Sequence, residues 1–307
     1  MTKSEENVAF DSGAVYPEGY TFNLSDFALF LSVMKNKEAY ECALSIILDE
    51  PEIKMEEVKV EQVILNRYGK RAIRLDAWGR TSDERQINME MENHAGNDDM
   101  PKRSRFYQGL LDSPILKSGK KTKYRELPST IIIFITQEDI FKKDLAKYTF
   151  TEQCEEIEGV RLEDGTKKIF LNMTSKNGSK ELVSMLQYMK NTTLDNPEIE
   201  VRDERIVKLD KIVSEVKESE EWEAVQMNIL EIGISQGISQ GEKRKLVTQI
   251  CTKLKKGYEI SQIAEMLEEE ERVIEDICKT AKKYAPDYDV ESIVREISDT
   301  AHKDECK

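Results

Sequence analysis

The sequence predicts a mixed α/β domain, a central sheet flanked by helices, followed by an all-helical extension. Three observations predict it. Period-two alternation in AIRLDAWG and QINMEMEN marks two neighbouring strands, the unbroken apolar run STIIIFIT marks a strand covered on both faces, and helical spacing prevails beyond Pro197. A chain of 307 residues with 39% hydrophobic content is long enough for two modest domains and at least one proper core.

The elements follow in order. Residues 1–19 are polar, with Gly13, Pro17 and Gly19, and read as a loose arm. Ser25 reads as a helix N-cap, after which Phe27, Leu29, Phe30, Val33 and Met34 recur on one apolar face. KEAYECALSIILD adds Tyr40, Ala43, Leu44 and Ile47 to the same core, and VEQVILNRY reads as a strand leading into a hairpin. In PKRSRFYQGLLDS the spacing predicts a helix with Phe106, Leu110 and Leu111 inward. STIIIFIT and KKIFLN supply further strands, and SKELVSMLQYMK closes the domain at about residue 195 with Leu182, Met185, Leu186 and Met189 inward.

Beyond it the character changes. Residues 196–242 read as a long acidic helix and a glycine-repeat linker: from Glu198 to Glu231 eleven acidic side chains face five basic ones, with Ile206, Leu209, Ile212, Val213 and Val216 at heptad-like positions. That apolar face packs on the first domain or on a second subunit, so a homodimer through 198–231 is an expectation. GISQGISQG, from Gly233 to Gly241, reads as a bent helix or hinge. Residues 243–285 form three short helices that look like a helix-turn-helix segment, but the third opens with Glu269, Glu270 and Glu271, which suits protein contact better than phosphates. Residues 286–307 read as an uninterpreted tail.

The hairpin carries the chemistry. Arg74, Asp76 and Trp78 share one side of the first strand, and Asn88, Glu90 and Glu92 one side of the second, as half-buried strands require. GRTSDERQ between them reads as a turn, and a reversal near Asp83 leaves Asp76 and Glu90 equidistant from it, on the same side of an antiparallel pair. Facing carboxylates repel unless something offsets the charge. Either a hard divalent cation does so, or Arg74 or Arg85 pairs with them on a wet face.

Composition narrows the remaining classes. The net charge of −14 disfavours indiscriminate nucleic-acid binding, yet Lys102 to Arg125 holds eight Lys or Arg against Asp112 alone. Five scattered cysteines suggest neither a disulfide framework nor a zinc knuckle, and Cys42 and Cys251 suit buried thiols. His94 and His302 supply a His-based hydrolase poorly, and no nucleophile motif is present. Without a leader pattern or eighteen consecutive apolar residues, a reducing cytoplasm and no membrane are expected.

Asp76 in RLDAW, then Asn88, Glu90 and Glu92 in NMEMEN, then Lys102, Arg103, Arg105 and Tyr107 in PKRSRFYQ, resemble in order and spacing the PD-(D/E)XK nuclease-like transposase family, also termed recombination-promoting nucleases. The resemblance extends from NLSDFALFLSVMKN to DGTKKIFLN, about residues 22–190, and continues into the glycine-rich tail. It implies a restriction-endonuclease-like core over residues 20–195 and Mg²⁺, or Mn²⁺, held by Asp76 and Glu90, with a water activated to hydrolyse DNA in a recombination setting. Asp26, on the first helix, joins such sites in related nucleases, although the helix dipole accounts for it equally. Glu92 departs from the pattern, standing where the superfamily has Lys and this branch usually Gln. Either Glu92 is an extra metal ligand, or the missing positive charge comes from Lys102, Arg103 or Arg105, or activity has decayed to a scaffold or DNA-associated interaction protein. Arg103, Arg105, Lys102 and Tyr107 are the candidate phosphate contacts, unless they cap the helix or tie it to the sheet.

Overall fold

Six strands, β1 (Met55–Ile64), β2 (Ile73–Thr81), β3 (Gln86–Glu92), β4 (Thr130–Thr136), β5 (Lys147–Phe150) and β6 (Thr166–Asn172), form one sheet in the order β1-β2-β3-β4-β6-β5 in the computed structural model, which describes residues 19–66, 71–115 and 123–305. β1, β2 and β3 make an antiparallel meander, β3, β4 and β6 run parallel, and β5 closes the far edge antiparallel to β6. Going from β3 to a parallel neighbour requires a crossover. Helix α3 (Met100–Asp112) provides it and lies across one face of the sheet.

The opposite face carries α1 (Phe27–Met34), α2 (Lys37–Leu48) and α4 (Lys180–Lys190). Tyr40 of α2 donates its hydroxyl to the carbonyls of Ala77 and Ile87, at 3.1 and 3.0 Å. Gly79 makes that approach feasible, because a Cβ there would lie 2.3 Å from Met55 Cε and 3.3 Å from the Tyr40 ring. Leu182, Met185, Leu186 and Met189 are buried, as their spacing predicts. β4 is buried along its whole length, as a central strand with both faces covered should be.

The hairpin pairs Ala77 with Met89 and Arg80 with Gln86, which centres the reversal on Asp83. The turn is tighter than the polar stretch suggests, since β2 runs on through Gly79 to Thr81 and only the residues up to Arg85 form the loop. The strands are not half-buried as expected. β3 lies between two strands beneath α3, so Gln86, Asn88 and Glu90 are enclosed with Ile87, Met89 and Met91. β1 starts at Met55, five residues before the expected strand, whose last two residues lie outside the described part. Ser25 does not cap α1; Asp26 occupies the cap position, and its carboxylate accepts from Asn23 N–H at 2.7 Å and from Tyr20. In α3 the phase differs as well: Met100, Ser104, Tyr107, Gln108 and Leu111 face inward, while Phe106 is exposed.

The chain divides into two units between Val225 and Gln226, inside the segment read as a linker. In the first unit α5 (Glu204–Lys217) buries Ile206, Leu209, Ile212 and Val213 within the same chain, largely against α2, so this face is not free for a second subunit. α6 (Glu220–Lys255) is continuous through Gly233 to Gly241, where a bent helix or a hinge was expected. The second unit continues with α7 (Ile260–Leu267), α8 (Glu271–Lys282) and α9 (Val290–Glu305). Ile250, Ile263, Ile274 and Cys278 form one aliphatic cluster, and Val247, Cys251, Ala281 and Ile293 another. α9 is thus an ordered part of the second core, although the tail was left uninterpreted. Among the described residues no helix is long and apolar enough to cross a membrane.

Candidate active site

Continuing the hairpin register one step past Ala77 and Met89 sets Asp76 opposite Glu90. There the main-chain ladder between β2 and β3 gives way to two reciprocal side-chain bonds. Asp76 N–H donates to Glu90 Oε1 at 3.1 Å, and Met91 N–H donates to Asp76 Oδ2 at 3.0 Å. Asn88 Nδ2 donates to the same Glu90 Oε1 at 2.8 Å. Asp76 is 8% exposed and Glu90 1%, which excludes the wet-face reading of this pair. Arg85 does not neutralise it either, being engaged with Glu50 and Asp83.

Burial pushes both carboxyls above the ordinary carboxylate range. Repulsion from Glu90 adds to the effect at Asp76, while the Met91 N–H and Arg103 work against it. For Glu90 the Asn88 and Asp76 hydrogen bonds and Arg103 offset part of the burial cost.

Arg103 reaches into this site from α3. Its Nη1 donates to Glu92 Oε2 at 2.6 Å, and its Nη2 lies 3.5 Å from Glu90 Oε2, an ion pair too long and poorly aligned to count as a hydrogen bond. Nε donates to Tyr107 Oη at 3.2 Å, and the guanidinium lies over the Tyr107 and Phe134 rings, 5.3 and 5.5 Å from their centroids. Burial alone would lower the pKa of Arg103, but Tyr107, Glu90 and Glu92 outweigh it and hold the group charged. The Tyr107 hydroxyl is pushed up to about 12, first by burial and then by Glu90.

The other expected residues distribute differently. Glu92 accepts from Arg103 and from His94 N–H, and among the described residues no group of three or more His, Cys, Asp or Glu can hold a metal. Of the three carboxylates expected to share one ion, Asp76 and Glu90 lie together as a buried pair and Glu92 is turned to Arg103. Tyr107 is 7% exposed and packs against Phe134, on the inward face of α3. Lys102 is exposed and pairs with Asp99 at 2.6 Å, and Arg105 is exposed. Asp26 is engaged with Tyr20 and Asn23, and His94 is exposed. Sequence reasoning missed Asn88, whose signal was its place two residues before Glu90 on a face assumed to be wet.

The donor set fits a hard divalent cation. Glu90 Oε2 is buried and accepts no hydrogen bond, as is Asn88 Oδ1. Three carboxylates outnumber the Arg103 and Arg74 guanidiniums that act on them, which leaves negative charge uncompensated if all are ionised. Oxygen ligands from two carboxylates, completed by water and phosphate, are what Mg²⁺ or Mn²⁺ accepts.

Comparison with known proteins agrees with this architecture. The family model of the PD-(D/E)XK nuclease family transposase matches residues 25–231, more than half of the chain. No curated protein and no solved structure matches it.

Proposed function

The chain belongs to the PD-(D/E)XK nuclease family transposases, whose nuclease-like domain implies DNA as substrate, and on that premise we propose a metal-dependent endonuclease that hydrolyses DNA phosphodiesters during recombination or transposition. One observation carries the reading: Asp76 and Glu90 are buried together, and Glu90 Oε2 is left without a hydrogen bond. Asp76 and Glu90 are the residues that would hold the cation, Mg²⁺ or Mn²⁺. When bound, such a cation supplies Lewis-acid activation of water and neutralisation of phosphate charge.

The protein's own groups do the rest. Arg103 takes the part of the lysine or glutamine that Glu92 displaces, because Glu92 and Tyr107 hold its guanidinium beside Glu90 and leave other N–H groups available to a phosphate. Glu92 thus acts through Arg103 rather than as a third ligand. Lys102 and Arg105, exposed on the same helix, would meet the backbone of the duplex. Asp26 has no part in this scheme.

A second reading, a silent nuclease-fold scaffold, is favoured by the ion pairs of Arg103 with Glu90 and Glu92, which neutralise part of the charge without a cation. Cleavage of plasmid DNA in Mg²⁺ or Mn²⁺ separates the two. The endonuclease reading expects Asp76→Ala and Glu90→Ala each to lower cleavage by at least about two orders of magnitude while remaining folded. Cleavage by the wild type that both variants retain, or none from any of the three, would favour the scaffold or another site.

A further inference from the structure

Asn88 is wholly buried on β3, two residues before Glu90 and on the same side of the strand, in a row with Gln86. Burying a primary amide is costly unless its hydrogen bonds are made. Half of them are. Nδ2 donates to Glu90 Oε1 at 2.8 Å, whereas Oδ1 accepts nothing within the protein. The orientation of the amide follows from chemistry, since an ionised carboxylate accepts only and must face the NH₂ group.

Glu90 Oε1 then takes two donors, Asn88 Nδ2 and Asp76 N–H, which fixes the carboxylate in one rotation and leaves Oε2 without a hydrogen bond, met only by the 3.5 Å ion pair with Arg103 Nη2. Two buried oxygens that accept no hydrogen bond, Glu90 Oε2 and Asn88 Oδ1, therefore belong to neighbouring side chains on one face. An acceptor can be satisfied by a cation or by a water that the cation orients. Pure packing gives no reason to retain either, because an apolar side chain in the place of Asn88 would leave no orphan.

We propose that Asn88 is the positioning residue of the cation site: its amide sets the Glu90 carboxylate with Oε2 forward, and its own Oδ1 accepts from water in the outer shell of the ion. The inference rests on the reading of Asp76 and Glu90 as the cation-holding pair. Residues that orient metal ligands typically contribute about 10–100-fold in metal affinity.

The test is a calorimetric titration of the full chain with Mn²⁺, comparing wild type, Asn88→Leu, Glu90→Gln and the double variant, with the metal-free melting point of each recorded alongside. Asn88→Leu keeps the branching and the number of side-chain heavy atoms, and Asn88→Ser serves as a second variant should the bulkier leucine disturb the fold. The proposal expects Asn88→Leu, and Asn88→Ser where the leucine lowers the metal-free melting point, to bind Mn²⁺ at least about tenfold more weakly. It also expects Asn88→Leu to weaken the Glu90→Gln variant by a clearly smaller factor than it weakens the wild type. A merely structural role would lower the metal-free melting point and leave the Mn²⁺ affinity in place, and that result overturns the proposal while sparing the cation pair. Wild type that binds no Mn²⁺ overturns both, and Asn88→Leu weakening the Glu90→Gln variant by the same factor would show that Asn88 does not act through Glu90.

Discussion

Residues 19–225 enclose Asp76, Asn88 and Glu90 at the middle of a sheet, whereas in residues 226–305 the described buried side chains are all apolar or thiol: Ile229, Val247, Ile250, Cys251, Ile263, Ala264, Ile274, Cys278, Ala281 and Ile293. The ion pairs of the second unit, such as Lys279 with Glu275 and Lys283 with Glu296, lie at the surface and contribute little. Its core is what helical periodicity produces when only burial matters. The first unit instead keeps two carboxyls where desolvation penalises them, and a sheet needs no such charge to fold. Chemistry is therefore sought in the unit whose packing is least economical.

That contrast can be broken most forcefully from the second unit. Ile263→Ala removes a fully buried side chain from an aliphatic cluster and is expected to destabilise that unit by about 2–5 kcal/mol in chemical denaturation. Its Mn²⁺ response should match the wild type. A diminished response would show that the second unit takes part in the site.

A smaller effect is expected at Arg103. Arg103→Met leaves Glu92 and Glu90 without their cation and is expected to cost about 2 kcal/mol, discounted because the guanidinium side chain is 24% exposed. Adding Glu92→Gln should recover part of that loss, since the two residues share one interaction. Strictly additive losses would mean that Glu92 does not hold Arg103.

The smallest effect is the pH dependence of the metal-free protein. Asp76 and Glu90 titrate above their unfolded range, so the folded state retains protons that the unfolded state has released. The stability this provides is complete below the unfolded carboxylate pKa, about 4, and is lost as pH rises through the raised folded values, at no more than about 1.4 kcal/mol per pH unit for each proton. Asp76→Asn or Glu90→Gln should flatten the decline in denaturation measured across that window, and an unchanged slope would place its origin elsewhere.

Much of the first unit was legible because its signals are local. The alternation around Asp76 and Glu90 and the turn residues at Ser82 and Asp83 together set a register centred on Asp83, and the STIIIFIT run marked the central strand. The first half of β1 was hidden by the Glu and Lys residues of an exposed edge, and β5 is only four residues long. The spacing of Val290, Ile293, Val294 and Ile297 held the signal for α9. What local pattern cannot supply is the partner across a crossover. Periodicity put Asp76 and Glu90 on one side, but the cover of α3 over that side, the entry of Arg103 and the turning of Glu92 toward it depend on how residues 100–112 return over the sheet. The same ignorance made the face look wet and placed Phe106 inward instead of Tyr107.

The most direct test of the buried pair is thermal unfolding during an Mn²⁺ titration of wild type, Asp76→Asn and Glu90→Gln. A cation bound only by the folded state raises the melting point with its concentration. The wild type should show that rise, and both variants should begin more stable without metal and lose the rise. A wild type indifferent to Mn²⁺, or variants that respond as it does, would contradict the assignment of Asp76 and Glu90.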